Sequence, residues 1–136
     1  PDIGIIIEKP ELLPYLSGLE NLKLLAEIRN IISYDDIKHY MDKFGLNFNS
    51  KQIVKKYSLG MKQKLGIIQA IMEDPSLLLL DEPFNALDAE SVDILRSILL
   101  QYKEQGKLII LTSHHQEDIM SVCNQVIHLQ DGCILN

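Results

Sequence analysis

The sequence predicts an α/β fold: a parallel sheet with a helical segment inserted after its first strand. Two short continuous apolar runs, "SLLLL" at 76–80 and "LIILT" at 108–112, have the length and turn-bounded ends of strands buried on both faces of a parallel sheet. Between them lies a stretch with helical periodicity, so strand, helix and strand follow one another as in a βαβ unit, whose strands run parallel. Upstream, residues 12–75 are dense in helix-capping signals.

The elements follow in order. "IGIII", residues 3–7, is a β-branched run closed by Glu8-Lys9-Pro10, which reads as a buried strand ending in a turn. Ser17 with Glu20 three residues on is a capping box, with Leu22, Leu25, Ala26 and Ile28 at near-helical spacing behind it. Ser33 with Asp36 starts a second helix that buries Ile37, Tyr40, Met41 and Phe44 and stops at Gly45. A short third helix fits 50–56. The helix after Ser58 carries Leu65, Ile68, Ile71 and Met72 and halts before Pro75. A helix over 89–105 presents Val92, Leu95, Ile98, Leu99 and Tyr102 on one stripe and ends at Gly106. Ser113 is expected to cap a last helix toward Gln116, a strand over 126–129 to extend the parallel pattern, and Asp131-Gly132 to turn a hairpin. The chain thus divides into 1–11, 12–75 and 76–136.

At 136 residues with 46% hydrophobic residues the chain has the material for one core. A net charge of −6 argues against a generic affinity for nucleic acid, although Lys51, Lys55, Lys56, Lys62 and Lys64 make local basic spots. Cys123 and Cys133 match no metal or disulfide spacing, the pattern of a reducing cytoplasm. No apolar run approaches the ~18 to 20 residues that span a bilayer. Nor does the chain open on a signal peptide, and a first residue other than Met is expected of a fragment or processed chain.

Ligand groups in open parallel sheets gather just past the carboxyl ends of the strands. Those ends carry Glu8, Asp81-Glu82 and Ser113-His114. Carboxylates and a histidine along one edge suit a hydrated Mg²⁺ and an oriented water, one acid serving the metal and its neighbour polarising the water for in-line attack on a phosphoryl group. The plainer reading of Asp81-Glu82-Pro83 is a polar turn at a strand end.

At these residues a resemblance emerges. "LLLLDEP" resembles the Walker B strand of ATP-binding-cassette (ABC) ATPases, "NALD" their D-loop, and "LTSHH" the strand entering their switch histidine. "YSLGMKQK" resembles a divergent form of their LSGGQ signature, and "EKPELLPYLSGLENL" is similar in spacing to their Q-loop and the segment after it. The five motifs stand in the family's order over nearly the whole chain. The resemblance implies a P-loop NTPase-like parallel sheet lacking the Walker A strand, with an inserted helical subdomain, in the nucleotide-binding subunit of a transporter that uses ATP and Mg²⁺. It implies that Asp81 holds Mg²⁺ through water, with Glu8 as a further metal contact, that Glu82 is the general base, and that His114 contacts the γ-phosphate. Ser58 and Gly60 would meet ATP bound by a second nucleotide-binding subunit in a head-to-tail dimer, with Asp88 at that interface; a local reading makes Ser58 simply an N-cap. Transmembrane permease subunits would be the other partners, at the cytoplasmic face of the membrane, with no nucleic acid involved.

Glu8 stands where most of the family has Gln, and Tyr57, Leu59 and Met61 replace Leu, Gly and Gln of the signature. Glu at the Q-loop with an "SLGM" signature resembles bacterial exporters of peptide antibiotics and lantibiotics. No phosphate loop is present: the only Gly-Lys pair, Gly106-Lys107, is followed by Leu108 and fails the pattern. These 136 residues are therefore expected to be inactive alone, with a gap beside the strand ending at Thr112. The rival readings are a soluble ABC ATPase of translation or DNA repair, a non-catalytic interaction domain, and a metal site from His114, His115 and Asp118. Adjacent histidines seldom share one ion, which argues against the last.

Overall fold

The computed structural model describes residues 2–135 and has a three-stranded parallel sheet in the order β1 (Ile3–Ile6), β2 (Leu77–Asp81), β3 (Leu108–Thr112). The ends assigned to the outer segments at Pro1 and Asn136 lie outside the described residues. Between β1 and β2 the chain forms α1 (Gly18–Arg29), α2 (Tyr34–Lys43) and α3 (Leu59–Ile71). Next come α4 (Ala89–Glu104) between β2 and β3, then α5 (Gln116–Val122) and a separate hairpin of β4 (His128–Gln130) and β5 (Cys133–Leu135). The expected helix at 50–56 is a single 3₁₀ turn, Val54–Lys56.

Capping explains where the helices begin. The Ser17 Oγ accepts from the Glu20 N–H at 3.3 Å and the Glu20 carboxylate accepts from the Ser17 N–H at 2.7 Å, a complete capping box. Ser33 caps α2 through the Asp36 N–H. Ser113 does not cap α5: its Oγ accepts from the His115 N–H, which closes a turn and delays the helix to Gln116.

One continuous core joins the helices to the sheet. Leu22, Ile37, Met41, Leu65 and Ile68 of α1–α3 and Leu78, Leu95 and Leu99 of β2 and α4 are almost fully buried in it. The side chain of Asn21 is buried here too; it donates to the carbonyls of Leu13 and Ser17 and accepts from the Leu13 N–H, which ties the segment after β1 to α1. The α3 backbone packs so closely on β1 that a Cβ at Gly4 would fall 2.0 Å from the Ala70 carbonyl oxygen.

Three expectations are corrected. The strands are not buried on both faces: Leu78 and Leu80 are covered, whereas Ile3, Ile5, Leu108 and Ile110, in register with Leu77 and Leu79, lie on a face left largely open. Helices of the described residues contact the sheet at β1 and β3 but do not cover that face. Ile28, expected on the buried stripe of α1, is 76% exposed because Leu22 and Ala26 set the inward face. The 126–129 segment does not extend the parallel sheet; β4 pairs antiparallel with β5 around the left-handed residues Asp131 and Gly132. Beyond β3 there is accordingly no strand neighbour among the described residues, in keeping with the expected gap.

Substituting Gly4 by Ala forces the added methyl against the α3 backbone. Urea unfolding of the Gly4→Ala chain is expected to show a loss of about 1–3 kcal/mol; an unchanged midpoint would contradict this packing.

Candidate functional site

The site is built at the carboxyl ends of β2 and β3. Their register sets Asp81 opposite Thr112. There the Thr112 hydroxyl donates to Asp81 Oδ1 at 2.5 Å and accepts from the Glu82 N–H at 3.1 Å, while the Thr112 carbonyl accepts from the same N–H at 3.2 Å. Glu82 turns out of the strand with φ +48°, a left-handed conformation that a non-glycine residue adopts at a cost of about 1–2 kcal/mol. The turn carries the Glu82 carboxylate toward β3, where Oε1 lies 3.3 Å from His114 Nε2. The side chain of Glu82 is only 14% exposed and that of His114 is 91% exposed, so the pair runs from the protein wall out to solvent. Asp81, Glu82 and His114, expected together, are brought together.

Glu8 lies two residues past β1, also with a positive φ (+37°), exposed on the same edge but outside this hydrogen-bonded group. Among the described residues no group of three or more His, Cys, Asp and Glu side chains is placed to hold a metal ion. The set of His114, His115 and Asp118 fails because Asp118 turns inward to Arg96, with Nη2 to Oδ1 at 2.7 Å.

The second group of expected residues surrounds the start of α3. Ser58 is the N-cap, its Oγ accepting from the Met61 N–H at 3.1 Å, and it is exposed. A Cβ on Gly60 would come 2.6 Å from the Ala86 carbonyl oxygen, so glycine here admits the 82–88 loop against the helix. Asp88 is the N-cap of α4, accepting from the Ser91 N–H at 2.9 Å and pairing with Lys64 at 2.5 Å. Lys64 is thus engaged within the fold and is not a free basic spot. The Lys64 ammonium, then the Ser91 N–H, hold the Asp88 carboxyl well below the usual carboxylate range.

Gln63, Thr112 and Arg96 escaped the sequence reading. Gln63 is buried in α3, and its Nε2 donates to the carbonyls of Pro83 at 3.2 Å and Glu82 at 3.4 Å. It fastens the segment that carries Glu82 to the helix that begins at Ser58. A polar residue among Leu65, Ile67 and Ile68 on a buried helix was the available signal.

Comparison with known proteins gives the family. The ABC transporter family model matches residues 1–85, more than half of the chain. The chain belongs to the ABC transporter family. It is 50% identical over 131 residues to the uncharacterized ABC transporter ATP-binding protein YybJ of Bacillus subtilis, a match spanning 96% of this chain and 60% of that protein. To the bacitracin transport ATP-binding protein BcrA of Enterococcus faecalis it is 37% identical, across 96% of this chain and 42% of the relative. A solved ATP-binding subunit of an ABC transporter superposes with a TM-score of 0.86 at 27% identity, covering 98% of this chain and 57% of that one. The chain therefore spans about 60% or less of the length of the relatives it matches. The P-loop NTPase-like α/β fold expected from the motifs is the fold these ABC proteins share with it.

The low-lying carboxyl of Asp88 sets a pH dependence. A group depressed in the folded state contributes stability above its ordinary range near pH 4, and that stability is lost as pH falls through the range and below it. Asp88→Ala removes both the cap and the pair with Lys64. Thermal unfolding at pH 7 is expected to show a loss of about 1 kcal/mol that narrows toward pH 2; an equal loss at both pH values would contradict the assignment.

Proposed function

We propose that these residues belong to the ATP-binding and ATP-hydrolysing subunit of an ABC transporter that exports a peptide antibiotic or related drug. The observation that carries the reading is the meeting of Glu82 and His114 at 3.3 Å beside Asp81, at the ends of two adjacent parallel strands. The bacitracin transport protein among the relatives, the "SLGM" signature and Glu8 support the peptide-antibiotic class.

The residues present fit a nucleotide with Mg²⁺. Thr112 binds one oxygen of Asp81, and Oδ2 takes no hydrogen bond among the described residues, which leaves a hard oxygen ligand at the end of β2. Bound there, Mg²⁺ would neutralise charge on the phosphate oxygens and leave the chain's residues to place the water. Glu82 accepts a proton from that water, its carboxylate fixed by the backbone bonds to Thr112. His114 reaches out from Glu82 toward solvent, where a terminal phosphate oxygen would lie. Glu8 supplies a further carboxylate on the same edge.

In this reading residues 12–75 form a helical subdomain that meets transmembrane permease subunits, with residues 1–11 and 76–136 contributing to the nucleotide-binding core. Ser58 and Gly60 face a nucleotide held by a second subunit in a head-to-tail pair, and Asp88 holds α4 at that junction. The assembly sits at the cytoplasmic face of the membrane; no helix among the described residues is long and apolar enough to cross it.

No phosphate loop lies in the 136 residues, so they are expected to show no turnover alone, and a chain extended to include one is expected to hydrolyse ATP. In that extended chain Glu82→Gln should lower kcat about 10²- to 10⁴-fold. Robust turnover by the 136-residue chain, or an active Glu82→Gln variant, would sink the reading.

A further inference from the structure

We propose that Arg96 is a positioning residue for His114: by binding Asp118 and lying over Phe84, it locks the short helix that follows His114 to the loop that carries Glu82. The inference rests on the role of His114 given above and assigns it a support that none of the family's motifs contains.

The geometry around α5 carries it. This helix has only seven residues, too few to hold its shape unaided, and its N-cap, His115, makes no side-chain cap bond. His114 stands immediately before that cap, exposed to solvent, with Glu82 as its one charged partner among the described residues. It lies two residues past Thr112 of β3 and two before α5, so its place depends on the docking of α5 as well as on the strand end. Three contacts dock α5 on the body of the protein: burial of Val122, the Lys103 ammonium donating to the Val122 carbonyl at 3.3 Å, and the Arg96–Asp118 pair. The first two act at the far end of the helix. Of these three contacts, the Arg96 pair is the one at the end next to His114, because Asp118 lies in the first turn and its N–H donates to the His115 carbonyl at 3.2 Å.

The pair is built for fixity. The Asp118 side chain is only 10% exposed and that of Arg96 29%, so water screens them weakly and a displaced Arg96 would leave the buried Asp118 charge without its partner. Arg96 Nη1 also lies 3.7 Å from Asp93, one turn earlier on α4, which holds the guanidinium from its own helix. Its Nε is buried with no hydrogen-bond partner among the described residues, so the guanidinium is placed by these carboxylates and by packing. On the other side the guanidinium carbon stands 6.0 Å from the ring centre of Phe84, which is buried two residues after Glu82. One side chain on α4 thus touches both segments whose ends must meet for Glu82 and His114 to pair.

The test uses the full-length protein with its membrane partners. Arg96→Met keeps the stem and removes the charge. Its kcat for ATP hydrolysis is expected to fall about tenfold or more, with KM for ATP changed less than about twofold, since a displaced group next to the chemistry costs rate more than binding. Amide hydrogen exchange is expected to speed up over 113–122 while β2 and α4 keep their protection. Arg96→Lys, which retains the charge, should recover part of the rate. If Arg96→Met does not fold, Asp118→Asn is read in the same two ways. An unchanged kcat, or a loss of rate with protection lost across the whole protein, overturns the proposal. His114→Ala separates the two readings: full activity in that variant overturns the role of His114, whereas a dead His114→Ala beside a fully active Arg96→Met overturns the positioning role alone.

Discussion

The hydroxyl of Thr112 is the interaction on which the arrangement turns. It ends β3 and at the same time bonds both residues that end β2, donating to Asp81 and accepting from the Glu82 N–H. Parallel pairing of β2 with β3 brings it into range, through the register of Asp81 with Thr112. The hydroxyl shares the Glu82 N–H with the Thr112 carbonyl and alone ties it to Asp81, and this doubled hold favours the left-handed Glu82 over an extended continuation of β2 that would aim the carboxylate elsewhere. The strain at Glu82 is local and small beside the burial of Leu78, Leu80, Leu95 and Leu99 that fixes the strands.

A second set of constraints reaches the same loop from the opposite side. Gln63 bonds the carbonyls of Glu82 and Pro83, Gly60 admits Ala86, and Lys64 pairs with Asp88. All three come from the first two turns of α3, the helix that opens at Ser58. The loop from Glu82 to Asp88 is therefore clamped between the sheet edge and the start of that helix. The start of that helix, with Ser58 and the 63% exposed Leu59, is thus joined to the backbone of Glu82 through a few buried or paired side chains.

Much of this was legible in the sequence where the signal is local. Capping serines placed α1, α2 and α3, the apolar stripe of α4 matched its buried face, and the strand-end rule brought Asp81, Glu82 and His114 to one edge. Non-local features were not legible. A run such as "SLLLL" reads the same whether one or two faces are covered, and here Leu77 and Leu79 lie on the less covered side. Ser113 looked like a cap but its hydroxyl found the nearer His115 N–H. The hydrogen bonds that tie Gln63 to Glu82, Arg96 to Asp118 and Thr112 to Asp81 span 19 to 31 residues, beyond what periodicity or a short motif can relate. Asp88, placed at an interface by its motif, already has two partners within the chain, a cap bond and Lys64.

The measurement that tests the central claim most directly is steady-state ATP hydrolysis by the full-length protein carrying Thr112→Val. The substitution keeps the β-branched shape and removes only the hydroxyl. If the hydroxyl sets the carboxylate geometry, kcat should fall about tenfold or more while the thermal midpoint hardly moves. A Thr112→Val protein that hydrolyses ATP at the unaltered rate would contradict the account.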